Sequence, residues 1–139
     1  MGTFMHPITL LSPASGGTET VEAWVDTGSN FTWVPGMVLQ RLGVQADRER
    51  GFILADGSRV RREMAEVKVE LNGEQVTTLV VFAPEGTQPL IGAYTLEAFS
   101  LAVDVTNKRL VPAENLALAN TTTRSAPDGR CWHVRAARA

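Results

Sequence analysis

Cys131 is the only cysteine in the 139-residue chain, which rules out an internal disulfide and suits a reducing compartment. His6 and His133 are the only histidines, so a zinc site of the usual His/Cys type cannot be assembled, and no metal or cofactor is expected. Long apolar runs are missing too. Segments such as TTLVVFAP fall far short of the roughly 20 residues a membrane-spanning helix needs, so no membrane partner is expected. The first residues, MGTFMHPITLLSPAS, lack a basic flank and are interrupted by Pro7, which argues against a secretory signal and for a cytoplasmic location. Neither sign of charge dominates: 13 Lys and Arg face 15 Asp and Glu, so nucleic acid is not an expected partner. Internal repeats and low-complexity tracts are absent as well.

What remains is an ordinary globular composition, 44% hydrophobic and 20% charged. The length suffices for one domain with a real core but not for two catalytic lobes. Between turn signals every ten to twenty residues, apolar residues repeat with a period of two, which predicts an all-β chain. Strands are expected at 3–11 and 19–25, joined across SPASGGT, with Val21, Ala23 and Val25 on one face and Thr20, Glu22 and Trp24 on the other. FTWV reads as a short strand leading into a helix over PGMVLQRLG, started by Pro35 and ended by Gly43, with Val38 and Leu42 on one face. VQADRERG reads as polar and exposed. Asp56-Gly57 and Asn72-Gly73 signal two hairpins, and between them Ala65, Val67, Val69 and Leu71 alternate with Glu66, Lys68 and Glu70. Leu90-Ile91 reads as a strand end, Gly92 as a close-packed backbone point, and Tyr94 to Phe99 as a short helix. Leu101, Val103 and Val105 form a further strand, and TNK turns the chain into RLVP. From Ala113 the pattern fades, giving a domain over 1–113 and a tail over 114–139 in which CWHV could add one edge strand.

One stretch does not fit simple core patterning. In EAWVDTGSNFTWVP, Asp26 interrupts apolar strands and is followed by Thr27, Gly28 and Ser29, which offer two hydroxyls and an unobstructed backbone. Such a loop can hold a carboxylate by hydrogen bonds while leaving one side open to a ligand. An Asx turn closing a strand is the simpler reading of the same residues.

VDTGSN resembles the active-site loop of aspartic peptidases, and PLIGAYTLEAFSLAVDVTNKRLVP resembles a later segment of their single-lobe, retropepsin-like branch. The resemblance covers roughly residues 3 to 112. It implies a closed, barrel-like acid-protease fold with a flap hairpin and short helices, and an endopeptidase in which two aspartates share a proton and activate a water. That mechanism belongs to the family and is applied, not discovered, for this chain. Asp26 is the implied catalytic residue, Thr27 would bond across a dimer axis, and Gly28 would allow close approach. Ala55, Asp56, Gly57 and Ser58 would form the flap tip over an extended peptide. Ile91 and Gly92 would lie at a substrate pocket, although core packing is an equal reading for Ile91.

A dyad needs a second aspartate. Asp56 and Asp104 are the obvious candidates within the chain, but neither has the D-[ST]-G pattern, and Asp104 reads as a solvent-facing strand residue. The resemblance therefore implies a symmetric homodimer with Asp26 from each subunit on the twofold axis. Ser29 stands where viral relatives often carry Ala. Its hydroxyl is expected to donate to Asp26, favouring the charged carboxylate and an acidic activity optimum. The flap lacks both a glycine-rich tip and a pepsin-like tyrosine, and Ala93 replaces an arginine that braces many viral dimers. An actin-like phosphate loop is disfavoured by chain length, and serine chemistry by the lack of a G-x-S-x-G context. The serious alternative is the same fold used as a dimerisation or peptide-binding module without hydrolysis.

Overall fold

The computed structural model describes residues 4–114, so the expected tail and its CWHV strand lie outside the described residues. The element order is β1 (Met5–Leu11), β2 (Thr18–Val25), β3 (Thr32–Pro35), α1 (Gly36–Arg41), β4 (Arg48–Ile53), β5 (Arg59–Leu71), β6 (Glu74–Ala83), β7 (Leu90–Ile91), α2 (Ala93–Ala98), β8 (Leu101–Asp104) and β9 (Arg109–Pro112). Seven strands form one mixed sheet in the order β1-β2-β7-β3-β6-β5-β4. A further β1–β5 pairing, Thr9 with Glu70 and Leu10 with Val69, bends this sheet into a near-closed ring and leaves β4 as an outer strand. Closure places the alternating apolar residues of β1, β2, β5 and β6 inside. Ile8, Leu10, Val25, Val69 and Val80 are at most 1% exposed, each contributing about 1.5–3 kcal/mol of burial.

Local chemistry sets the corners. At the β5–β6 turn Asn72 and Gly73 both have positive φ, 51° and 85°, the two-residue type I′ geometry that matches strand twist. At the β4–β5 turn Gly57 alone takes positive φ; its N–H donates to Leu54 at 2.8 Å and the Leu54 N–H donates to Ser58 at 2.8 Å. That is a three-residue loop with glycine in the left-handed position, so the two Gly-containing signals specify different turns. Helix α1 ends at Gly43, whose N–H donates to Gln40 while Val44 donates to Leu39, a Schellman closure.

Three expectations need correction. Pro35 ends β3 and caps α1 rather than lying in its first turn. VQADRERG is not a simple exposed loop: Val44 is buried in the core and residues from Arg48 onward pair with β5 as a strand. The Schellman closure explains the burial of Val44, since it folds that residue back towards the helix. Strand β8 stops at Asp104, leaving Val105 63% exposed. The cause is local, because Asp104 Oδ1 accepts the Asn107 N–H at 3.1 Å and turns the chain early.

Candidate active site

Asp26 follows the last residue of β2 and hangs from the sheet by its backbone: its N–H donates to the Ile91 carbonyl at 3.0 Å. The Ser29 N–H donates back to the Asp26 carbonyl at 3.2 Å, and the Gly28 N–H donates to Asp26 Oδ1 at 3.0 Å. The Asx turn and the carboxylate-holding loop are thus one structure. A Cβ on Gly28 would stand 3.2 Å from that same oxygen, so the small residue permits the hydrogen bond. Asp26 is half-buried, while Thr27 is exposed.

The loop is clamped from below by the start of α2. Ala93 donates its N–H to Ser29 at 2.8 Å and Tyr94 to Asn30 at 3.0 Å, satisfying donors that a helix start leaves open. Gly92 lies under the loop so closely that it tolerates no side chain. Beneath it, Thr32, Thr78 and Thr95 are buried, with Thr32 and Thr95 hydroxyls 2.6 Å apart and Thr78 and Thr95 hydroxyls 3.0 Å apart. Thr32 Oγ1 also accepts the Gly92 N–H at 3.1 Å. One ordering of protons, Gly92 to Thr32 to Thr95 to Thr78, satisfies the chain and ties β3, β6 and α2 to the Asp26 loop.

Above the loop lies a cleft of about 750 Å³ lined by Asp26, Gly28, Ser29, Asn30, Phe31, Trp33, Leu90 and Thr87, and roofed by Gly51, Phe52, Ile53, Leu54 and Ala55. Its size suits a substrate-binding cleft. The roof is seated by aromatic contacts: Phe52 meets Trp33 at 5.0 Å and Phe31 at 6.0 Å between ring centroids, both edge-on, and Phe31 meets Tyr94 at 5.2 Å. Trp33 and Leu90, which line the cleft, belong to a longer row: Met64, Val81, Trp33, Leu90, Trp24 and Met5 are successive Cα partners across β5, β6, β3, β7, β2 and β1, so they share the face opposite the core.

Asp26 is the only carboxylate lining this cleft among the described residues. The other described aspartates are each held by neighbours of their own. Asp56 Oδ1 accepts from the Ser58 hydroxyl at 2.6 Å and its N–H at 2.9 Å, which holds the Asp56 carboxyl below the usual range. Asp104 is held low by the Asn107 amide at 2.8 Å and the Asn107 N–H, then by Arg109. Asp47 is held low by Arg48 at 2.6 Å and by the Glu66 N–H at 3.1 Å.

The family model described as aspartyl protease matches residues 13–95, which include the Asp26 loop, the β4–β5 hairpin and Gly92. The chain belongs to the aspartyl protease family. Its mostly β ring with two short helices agrees with the retropepsin-like fold. No curated protein matches the chain. Within this member of the family, the expected site residues fall into distinct places. Asp26, Gly28 and Ser29 line the cleft, Thr27 stands exposed beside them, and of the four expected flap residues Ala55 lines the cleft while Asp56, Gly57 and Ser58 form the turn beyond it. Ile91 is fully buried, so core packing describes its side chain and its neighbour Leu90 provides the lining. The Ser29 hydroxyl donates to the Phe31 carbonyl at 2.9 Å. A hydroxyl carries one proton, so the expected donation to Asp26 is replaced and the acidic optimum loses its stated reason. Phe31, Trp33, Phe52, Leu54 and Leu90 were not read as site residues; the signal was the aromatic clustering around the D-T-G loop, but their convergence requires the sheet order.

Proposed function

We propose that the protein is an aspartic endopeptidase active as a symmetric homodimer, cleaving extended peptide or protein substrates. The observation that carries this reading is that Asp26 is the only carboxylate, among the described residues, lining an apolar cleft under a hairpin roof. Asp26 and the partner subunit's Asp26 would face each other across the twofold axis. Two carboxylates about 3 Å apart cannot both carry charge readily, so the pair would hold one proton between them. The charged member takes a proton from a water whose oxygen attacks the scissile carbonyl carbon. The protonated member donates to the carbonyl oxygen, and the leaving nitrogen takes a proton as the C–N bond breaks. The β4–β5 hairpin acts as the flap: it covers the peptide and limits competing water, while the backbone of the loop and hairpin pairs with the extended chain.

The deciding experiment measures cleavage of an unstructured protein by the wild type and by Asp26→Asn, with and without a statine-type transition-state mimic. Proteolysis is expected to vanish in the variant and to be blocked by the mimic. Cleavage indifferent to both overturns the peptidase reading. Tight peptide binding without cleavage by the wild type at any pH favours the silent binding module instead.

A further inference from the structure

We infer that Arg50 and Arg62 form a subsite that takes a substrate carboxylate at the root of the flap hairpin. The inference rests on the peptide-cleaving reading above and names a substrate class for that site. Arg50 and Arg62 are Cα partners on β4 and β5, placed between the pairs Arg48–Met64 and Phe52–Val60. Directly opposed residues share a face, and so do alternate residues along a strand, so all three pairs point the same way. Burial follows the same division except at Arg50: Met64 is fully buried and Arg48, Phe52, Val60 and Arg62 are half-buried, Arg50 is exposed, and Glu49, Gly51, Ile53, Arg59, Arg61 and Glu63 on the other face are exposed. By register the two arginines belong to the face on which Phe52 seats against Trp33, next to the cleft rather than in its lining.

Opposed like charges are unfavourable in a sheet, and this pair is not neutralised from within. Arg62 Nε is buried and has no hydrogen-bond partner, and its Nη1 donates only to the Arg61 carbonyl at 3.2 Å. Arg50 Nη1 donates to the Glu49 carbonyl at 3.1 Å. Neither group has an ion pair among the described residues, in contrast to Arg48 with Asp47 and Glu66, and Arg61 with Glu49. Asp47 feels the Arg50 charge, but its two oxygens are already used by Arg48 and by the Glu66 N–H. Glu49 and Glu63 oppose each other on the outer face.

A carboxylate seated between Arg50 and Arg62 would relieve the repulsion by accepting from the outer guanidinium nitrogens, in the planar geometry a guanidinium favours. Spacing makes such a ligand accessible. Alternate residues along a strand lie about 6.7 Å apart, and an extended peptide repeats its side chains on one face at the same interval. A peptide with one residue against Phe52 therefore carries the side chain two places along to the arginine pair. The carboxylate can come from a Glu or Asp side chain or from the peptide's own C-terminus.

The test uses the full chain carrying Asp26→Asn, so that peptides are bound and not cut, and fluorescein-labelled apolar peptides in which one Glu is moved along the sequence. Each is compared by anisotropy with its Gln counterpart, as a C-terminal amide and as a free acid. One Glu register, or the free acid, is expected to bind about tenfold more tightly than its neutral counterpart, the scale of one charge-assisted hydrogen bond. The gap should narrow in about 0.5 M salt. Arg50→Gln and Arg62→Gln should each abolish the preference without changing the affinity for the neutral peptide, and Arg50→Lys should keep part of it. A Glu-to-Gln ratio near one in every register, or a ratio unchanged in both arginine variants, overturns this subsite while leaving the peptidase reading intact. Binding of no peptide at all overturns the subsite together with the peptide-binding role it depends on.

Discussion

Gly92 lies so close to Phe31 that a Cβ added to it would stand 2.3 Å from the Phe31 carbonyl oxygen and 2.5 Å from its carbonyl carbon. The obstacle is backbone, which cannot rotate aside as a side-chain tip can. Gly92→Ala is therefore expected to displace the loop over 29–31 and to destabilise the fold by about 3 kcal/mol, the upper end of typical overpacking costs. Urea unfolding measures this directly, and a midpoint equal to wild type would remove the close-approach argument. Because the same loop carries Asp26, proteolysis should fall together with stability.

The buried threonine chain makes a graded prediction. Thr32→Val takes the acceptor from the Gly92 N–H as well as the bond to Thr95, and Thr95→Val strips partners from both Thr32 and Thr78. Each should cost about 1–3 kcal/mol. Thr78→Val removes only one end of the chain and should cost about 1 kcal/mol or less. If the three variants unfold at equal urea concentrations, the ordering of the network is wrong.

Phe52 joins the hairpin to the floor of the cleft through Phe31 and Trp33. Phe52→Ala should cost about 2 kcal/mol, since the ring is only half-buried. Its larger effect should be on KM and on protease nicking near residues 54–58, because a roof no longer seated opens more often. Phe52→Leu should recover part of both. A loss confined to kcat would place the residue in the chemistry rather than in the roof.

The acid limb of stability has a defined direction. Asp47, Asp56 and Asp104 all have carboxyl pKa values lowered in the folded chain, by Arg48, by Ser58 and by Asn107 respectively, as the largest cause of each. A depressed folded value means that the stabilisation is present above the unfolded pKa, near 3.9, and is lost as pH falls through the folded values. Thermal melts should accordingly be insensitive to these groups above about pH 5 and should fall below about pH 4. Asp104→Asn should flatten that decline slightly. A melting temperature independent of pH down to 2 would contradict it.

If each site needs two copies of Asp26, mixing has a quantitative signature. Equal amounts of wild type and Asp26→Asn, allowed to exchange subunits, should leave about one quarter of the dimers with two aspartates. Activity should follow the square of the wild-type fraction, and specific activity should rise with protein concentration as dimers form. A linear dependence on wild-type fraction, or activity independent of dilution, would favour a site complete within one chain.

Strand positions were legible because apolar alternation is local: Ala65, Val67, Val69 and Leu71 are all buried, as their spacing requires. Asn72-Gly73 and Gly43 were equally legible, since both answer to backbone sterics at one or two residues. VDTGSN marked the Asp26 loop for the same reason, its small residues being needed by the turn that holds the carboxylate. Side-chain hydrogen-bond choices were less accessible. Ser29 was expected to serve Asp26, but the Phe31 carbonyl two residues on is nearer to hand and takes the proton.

The sequence by itself determined most of the strands, the glycine-bearing turns, the glycine under the loop and the single D-T-G aspartate, because each depends on residues near in the chain; the start of β4 and the end of β8 it did not. Only the tertiary structure decided what surrounds that aspartate. Thr32, Thr78 and Thr95 meet only once β3, β6 and α2 are packed, and Phe52 meets Trp33 only once β4 folds back across the sheet. The apolar row from Met64 to Met5, from which Trp33 and Leu90 line the cleft, exists only because strand order brings residues of six strands together. Periodicity fixes which way each side chain points from its own strand, but strand order alone fixes which neighbours it finds there.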